Sequence, residues 1–333
     1  MPTPLTEPDI SAGPSPASVA QSSETDLSDL IAGSVDAGPL LGDPTVSRLL
    51  DDIQSRHGSS VVAVLLYGSY LRGKRDTLLD FYVLLEDFHE ALPRAWHRLA
   101  NRLLPPNVYY QCVPNGDGEA RSKYATLSLR QFERALKGDF HSYFWSRFTQ
   151  PCALIFSRDT LSEQRVLDAL KNATVTFIEA VLPVLHERFS SRELWQTGFN
   201  LTYRAELRAE GNDRIVELYE KNAHHFDSLC AAYARLPHAR VDLVDEGMFQ
   251  QRTVSPKRNA DLKWSLRSWL GKLLSALRII KAAGTFDDPL DYLLWKIKRH
   301  SGIYIEPTTR QRRFPLVFAW PLLWRLYRLG AFR

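Results

Sequence analysis

The chain has 333 residues, 44% hydrophobic and 24% charged, with a net charge of only +4. That balance excludes a fully disordered chain, and the small net charge gives no electrostatic argument for nucleic acid as a partner. Three widely spaced cysteines (Cys112, Cys152, Cys230) without a Cys-x-x-Cys pair exclude a disulfide framework and a thiolate zinc site.

Residues 1 to 44 lack Lys and Arg and are rich in Pro, Ser and Ala, so they read as a disordered segment. The N-terminus shows neither the basic start and apolar core of a secretory signal nor the arginines of a mitochondrial presequence, and a cytoplasmic location is expected. Val46, Leu49, Leu50 and Ile53 fall at helical spacing before Gly58. "VVAVLLYG" and "LLDFYVLL" then read as two buried strands, and "PRAWHRLANRLLPP" as a helix stopped by prolines. "NVYYQCV", "SKYATLSL" and "CALIFS" have strand length, with "LRQFERALK" as a helix before the last.

These elements predict an α/β domain over residues 45–160. From 161 to about 236 the periodicity is helical, and residues 161–262 are predicted as an α-helical domain. The helical run "LKWSLRSWLGKLLSALRIIKAAG", from Leu262, opens the C-terminal segment 263–333, which ends in "RQRRFPLVFAWPLLWRLYRLGAFR". In a helix from Pro321, Leu322, Leu323, Leu326 and Leu329 are apolar, Trp324 and Tyr327 are interfacial rings, and Arg325, Arg328 and Arg333 can snorkel. This tail reads as an amphipathic segment lying on an anionic membrane surface, too charged to span it. The fold class expected is α+β: a nucleotidyltransferase-like α/β domain with a mixed sheet, then helices, then the amphipathic tail.

The chemistry concentrates in "YGSYLRGKRDTLLDF". A strand ending in Gly68-Ser69 lets backbone N–H groups approach phosphate oxygens, and the Ser69 hydroxyl can add a hydrogen bond. Asp80 on the next strand would point into the same cleft as a Mg2+ ligand. Arg72, Lys74 and Arg75 bring positive charge to the place of a triphosphate. Nucleotidyltransferases usually carry Asp-x-Asp on the second strand, and here the third position is Tyr82.

Read on from there, "YGSY", "LLDFYVLLED", "AWHRLANRLLPPNVYYQCV", "SKYATLSL", "YFWSRFTQPCALIF" and "NLTYRAELRAEGNDRIVELYEKNAHHF" form an ordered series. It resembles the mitochondrial-type phosphatidate cytidylyltransferases, the translocator assembly and maintenance family, over roughly residues 61 to 230. The resemblance gives Gly68 and Ser69 the triphosphate loop, Asp80 the Mg2+, and Lys123 and Tyr124 contacts to nucleotide or phosphate. Arg147 falls on the family's arginine, Glu206 on its aspartate and Arg208 on the arginine two residues later. Tyr70, Ala125, Gln150 and Ala205 depart from the family pattern. The resemblance implies transfer of CMP from CTP to phosphatidic acid with release of pyrophosphate. With the basic aromatic tail, a peripheral location on the inner face of a bacterial membrane is expected.

Tyr82 is compatible with that chemistry. A phosphate monoester, with a second pKa of about 6, is already largely ionised and requires no general base. Two alternatives stay open: a nucleotidyltransferase for another lipid or small phosphate acceptor, and a non-catalytic membrane-associated protein on the same fold. His224, His225 and the Trp96-His97 pair read as helix packing, since no third ligand stands at metal spacing.

Overall fold

The computed structural model describes residues 26–73, 77–92, 94–116, 118–206, 212–245, 247–254, 256–285 and 306–308. Lys74, Arg75, Arg208 and the tail from Arg310 to Arg333 lie outside these residues. Three helices come first: α1 (Leu27–Ser34), α2 (Gly38–Leu41) and α3 (Pro44–His57). In α3 the Asp43 carboxylate accepts from the Thr45 N–H at 2.9 Å, and Pro44 supplies a fixed φ at the first turn. Val46, Leu49, Ile53 and His57 form its buried face.

Strands β1 (Val61–Tyr67) and β2 (Leu79–Leu85) follow, then helices α4 (Phe88–Ala91) and α5 (Ala95–Leu103). Next come β3 (Asn107–Asn115), β4 (Gly118–Ser128), α6 (Leu129–Leu136) and β5 (Cys152–Ser157). The five strands make one sheet in the order β3-β4-β2-β1-β5. β2 and β4 pair in parallel and the other neighbours antiparallel, so the sheet is mixed. β1 and β2 are apolar along nearly their whole length because both faces are covered. Val64, Leu66, Phe81 and Val83 pack toward α3, and Ala63, Leu65, Tyr82 and Leu84 toward the helices that follow.

Those helices are α7 (Thr160–Val181), α8 (Ser191–Ala205), α9 (Asn212–Lys221), α10 (Ala223–Ala234) and α11 (Lys257–Thr285). One apolar cluster runs from the sheet through Phe177 on α7 and Trp195 on α8 to Tyr233 on α10, across the boundary expected at residue 160. A second sheet lies within the domain expected to be α-helical: β6 (Arg188–Ser190), β8 (Met248–Gln251) and β7 (Val241–Asp245), in that order. Strands of three to five residues are too short for alternation to show, and four of the five β7 residues are exposed.

The segment expected to be disordered also differs within its described part. Leu27, Ile31 and Val35 are buried in the main core, and the Val35 carbonyl accepts from the Leu154 N–H at 2.9 Å, covering the edge of β5. Three apolar residues spaced by four are enough for a short helix to dock, although the surrounding Ser, Pro and Ala dilute that signal in composition. No helix among the described residues is long and apolar enough to cross a membrane.

Candidate active site

β1 ends at Tyr67, and Gly68 follows with φ +94°, a left-handed conformation that favours glycine. A Cβ there would stand 3.2 Å from Asp80 Oδ2, so the close approach of Asp80 is a second reason for glycine. The loop then turns tightly. The Arg72 N–H donates to the Ser69 carbonyl at 3.1 Å, and the Gly73 N–H to the Tyr70 carbonyl at 3.0 Å. The Ser69 and Thr77 hydroxyls share a hydrogen bond of 3.0 Å that ties the two ends of the loop. Tyr70 is buried on the α3 side and donates its hydroxyl to Asp43 at 2.5 Å. It anchors the loop and does not line the cleft.

Register places the rest. Asp80 sits opposite Tyr67 across β1–β2 and opposite Lys123 across the parallel β2–β4 pair. The Lys123 ammonium lies 3.1 Å from Asp80 Oδ1. That oxygen is shut off from water, so the Lys123 ammonium is its partner. Tyr82, two residues on, points to the same face but is fully buried, with its ring 5.1 Å from Tyr67 and 4.8 Å from Phe148. The position of a second acid is therefore part of the hydrophobic core.

Arg147 closes the far wall. It donates to the Tyr67 hydroxyl at 3.3 Å, approaches Glu206 Oε2 at 3.7 Å and lies 4.8 Å over the Tyr143 ring. Burial opposes its charge, but the neighbouring Tyr82, Tyr143 and Tyr67 phenols and Glu206 hold the guanidinium protonated well above its ordinary range. Burial pushes the Tyr143 phenol up, yet Arg147 and Arg278 outweigh it and leave that phenol below the usual tyrosine range. Glu206 was expected on a helix; α8 instead stops at Ala205, and Glu206 caps it with its N–H on the Tyr203 carbonyl at 3.1 Å.

Together these groups line a cleft of about 370 Å3: Gly68, Ser69, Arg72, Asp80, Lys123 and Arg147, joined by Tyr67, Gln150, Tyr203, Arg214 and Leu218. Glu206 meets it through Arg147. Arg72, Lys123, Arg147 and Arg214 outnumber the carboxylates, which suits a polyanion. The sequence reading missed Arg214. It lies on α9, far along the chain from Asp80, beside Glu217 at 2.6 Å. Only the packing of α9 against the mouth of the cleft identifies it.

Tyr124 is not part of this site. Adjacent residues of a strand point to opposite faces, so Lys123 toward the cleft requires Tyr124 away from it. Its ring stacks on Tyr109 at 5.2 Å, in a separate 220 Å3 pocket beyond the other face of the sheet. There His57 Nδ1 lies 2.9 Å from the Ala91 carbonyl and Nε2 3.2 Å from the Tyr124 hydroxyl. A carbonyl only accepts, so Nδ1 carries the proton and Nε2 accepts from Tyr124.

Among the described residues no group of three or more His, Cys, Asp or Glu could hold a metal ion. An all-protein cage is therefore not offered. Mg2+ is commonly held by one or two carboxylates together with substrate phosphates, and Asp80 offers that mode a single carboxylate beside the loop, one oxygen of which faces Lys123. No protein-family model and no curated protein matches the chain.

Proposed function

We propose that the cleft binds a nucleoside triphosphate and transfers its nucleotidyl group to a phosphate acceptor, with CTP and phosphatidic acid as the substrates. One observation carries the reading: strand register brings the Gly68-Ser69 loop, Asp80 and Lys123 together in a cation-rich cleft. The family resemblance supplies the base and the lipid.

In this mechanism a phosphatidate oxygen forms a bond to the α-phosphorus of CTP as the bond to pyrophosphate breaks. Backbone N–H groups at Gly68 and the Ser69 hydroxyl hold the leaving phosphates. Arg72 and Lys123 offset the charge that accumulates on them, and Arg147, fixed by Tyr67 and Glu206, orients the acceptor phosphate in line. Asp80 would hold Mg2+, which supplies charge neutralisation across the phosphates. The acceptor is already ionised, so the absence of a carboxylate at Tyr82 is consistent with the chemistry.

The work takes place at a membrane surface, without a spanning helix among the described residues. A non-catalytic reading draws on one feature, the Asp80–Lys123 ion pair, which engages the carboxylate that would hold the cation. Radiolabelled CTP with phosphatidate vesicles and Mg2+ decides between them. A lipid-extractable labelled product that Asp80→Asn eliminates is expected, with less product from other nucleoside triphosphates. No product and no pyrophosphate from any nucleotide or acceptor would leave only the non-catalytic reading.

A further inference from the structure

Helix α11 is apolar on two opposite sides. Ala260, Trp264 and Gly271 face the protein, and the crossing is so close that a Cβ on Gly271 would stand 2.3 Å from the Ala205 carbonyl oxygen. Arg267 donates to the Phe140 carbonyl at 2.5 Å and Arg278 to the Pro105 carbonyl at 2.9 Å, so the helix is fixed along its length. The opposite side carries Leu262, Leu266, Trp269, Leu273, Leu277 and Ile280, exposed by 70%, 55%, 65%, 43%, 42% and 70%. At 3.6 residues per turn these six lie within a stripe about 80° wide, pointing directly away from the packed face. Burial within the described protein does not explain them.

We infer that this stripe of α11 is a docking face for an anionic membrane surface. Charge argues for that occupant. Lys263 lies about 80° to one side of the stripe's midline and Lys272 about 100° to the other, where both can snorkel to headgroups while the apolar residues enter the acyl boundary. Asp261 is the helix's sole acid; Arg267, Arg278 and Lys281 face the protein, which leaves Arg258, Lys263 and Lys272 exposed as the cations of the outer side. Two copies of so basic a helix would repel each other, whereas an anionic lipid surface attracts it. Trp269 in mid-stripe is the residue type that favours the boundary between apolar and wet phases.

Placement fits as well. α11 crosses at Ala205, next to Glu206, and lays Arg278 4.1 Å over the Tyr143 ring that underlies Arg147. Docking the stripe would bring the acceptor wall of the cleft close to the bilayer. The inference deepens the proposed reading of a lipid acceptor, but the docking itself is measured without nucleotide, so the two can fail separately.

The test is sedimentation of the full chain with phosphatidylcholine vesicles, with and without phosphatidylglycerol. Its controls are melting temperature and solution mass. The wild type is expected to sediment with the anionic vesicles. Leu266→Glu/Leu273→Glu is expected to weaken that by about tenfold or more, with unchanged melting temperature and mass. Lys263→Gln/Lys272→Gln is expected to lose the preference for phosphatidylglycerol while keeping the fold. A wild type that stays in the supernatant, or a double Glu variant that sediments like it, overturns the inference. So does a melting temperature several degrees lower in the double Glu variant, which would mean that residues 286–333 cover the stripe. A fall in mass would assign the stripe to a second copy instead.

Discussion

The two faces of the five-stranded sheet carry similar residue types but use them differently. On the α3 face, Tyr124, His57 and the Ala91 carbonyl satisfy one another in a closed chain of hydrogen bonds. On the other face, Asp80, Lys123, Arg147 and Arg72 converge on a cleft, where Lys123 pairs with the Asp80 carboxylate and the arginines add further positive charge. Lys123 and Tyr124 are neighbours in sequence, yet one belongs to each side. A closed network is what a folded chain builds for itself, and a surplus of cations around one carboxylate is what a polyanionic ligand would complete.

Substitutions on the two sides should therefore differ in kind. Asp80→Asn is expected to lower nucleotidyl transfer by about 1,000-fold, at nearly unchanged stability in urea. Arg147→Met leaves Glu206 without its guanidinium in a buried setting, with an expected loss of about 3 kcal/mol in urea unfolding and of activity besides. Gly68→Ala forces a Cβ into the left-handed region beside Asp80 and should cost about 1–2 kcal/mol while impairing triphosphate binding. Tyr124→Phe removes the donor to His57 and should cost about 1 kcal/mol, leaving nucleotide affinity as it was. A Tyr124→Phe protein that folds well but has lost nucleotide binding would erase the distinction between the faces.

A smaller effect separates packing histidines from site chemistry. Burial holds His225 down to about 4, with His224 adding to the effect, and burial likewise lowers His57. Both take up protons more readily when unfolded. Stability is then expected to fall as pH drops from about 6.5 toward 4, and to be free of this contribution above that window. His225→Gln should flatten the slope of the urea midpoint against pH, and an unchanged slope would remove His225 from the account.

Much of the sheet and part of the cleft were legible because they rest on local rules. The apolar runs of β1 and β2, the Gly68 turn and the Asp80 spacing each follow from a few adjacent residues. Residues that depend on parity or packing were not. Tyr124 was assigned to the nucleotide through the dipeptide it shares with Lys123, although strand alternation allows only one of the two to face the cleft. Arg214 and Gln150 reach the site through the packing of α9 and the loop before β5, for which the sequence carries no periodic signal. The α1 stripe was diluted by its flanks, and β6 to β8 were too short to alternate visibly.

The central claim is that the Asp80 face, and not the Tyr124 face, takes a nucleoside triphosphate with Mg2+. Calorimetric titration of CTP with Mg2+ into the wild type, Asp80→Ala and Tyr124→Phe tests it most directly. Saturable binding by the wild type and Tyr124→Phe, lost in a folded Asp80→Ala, is the result the account requires. Equal binding by Asp80→Ala, or no binding by the wild type, would contradict it.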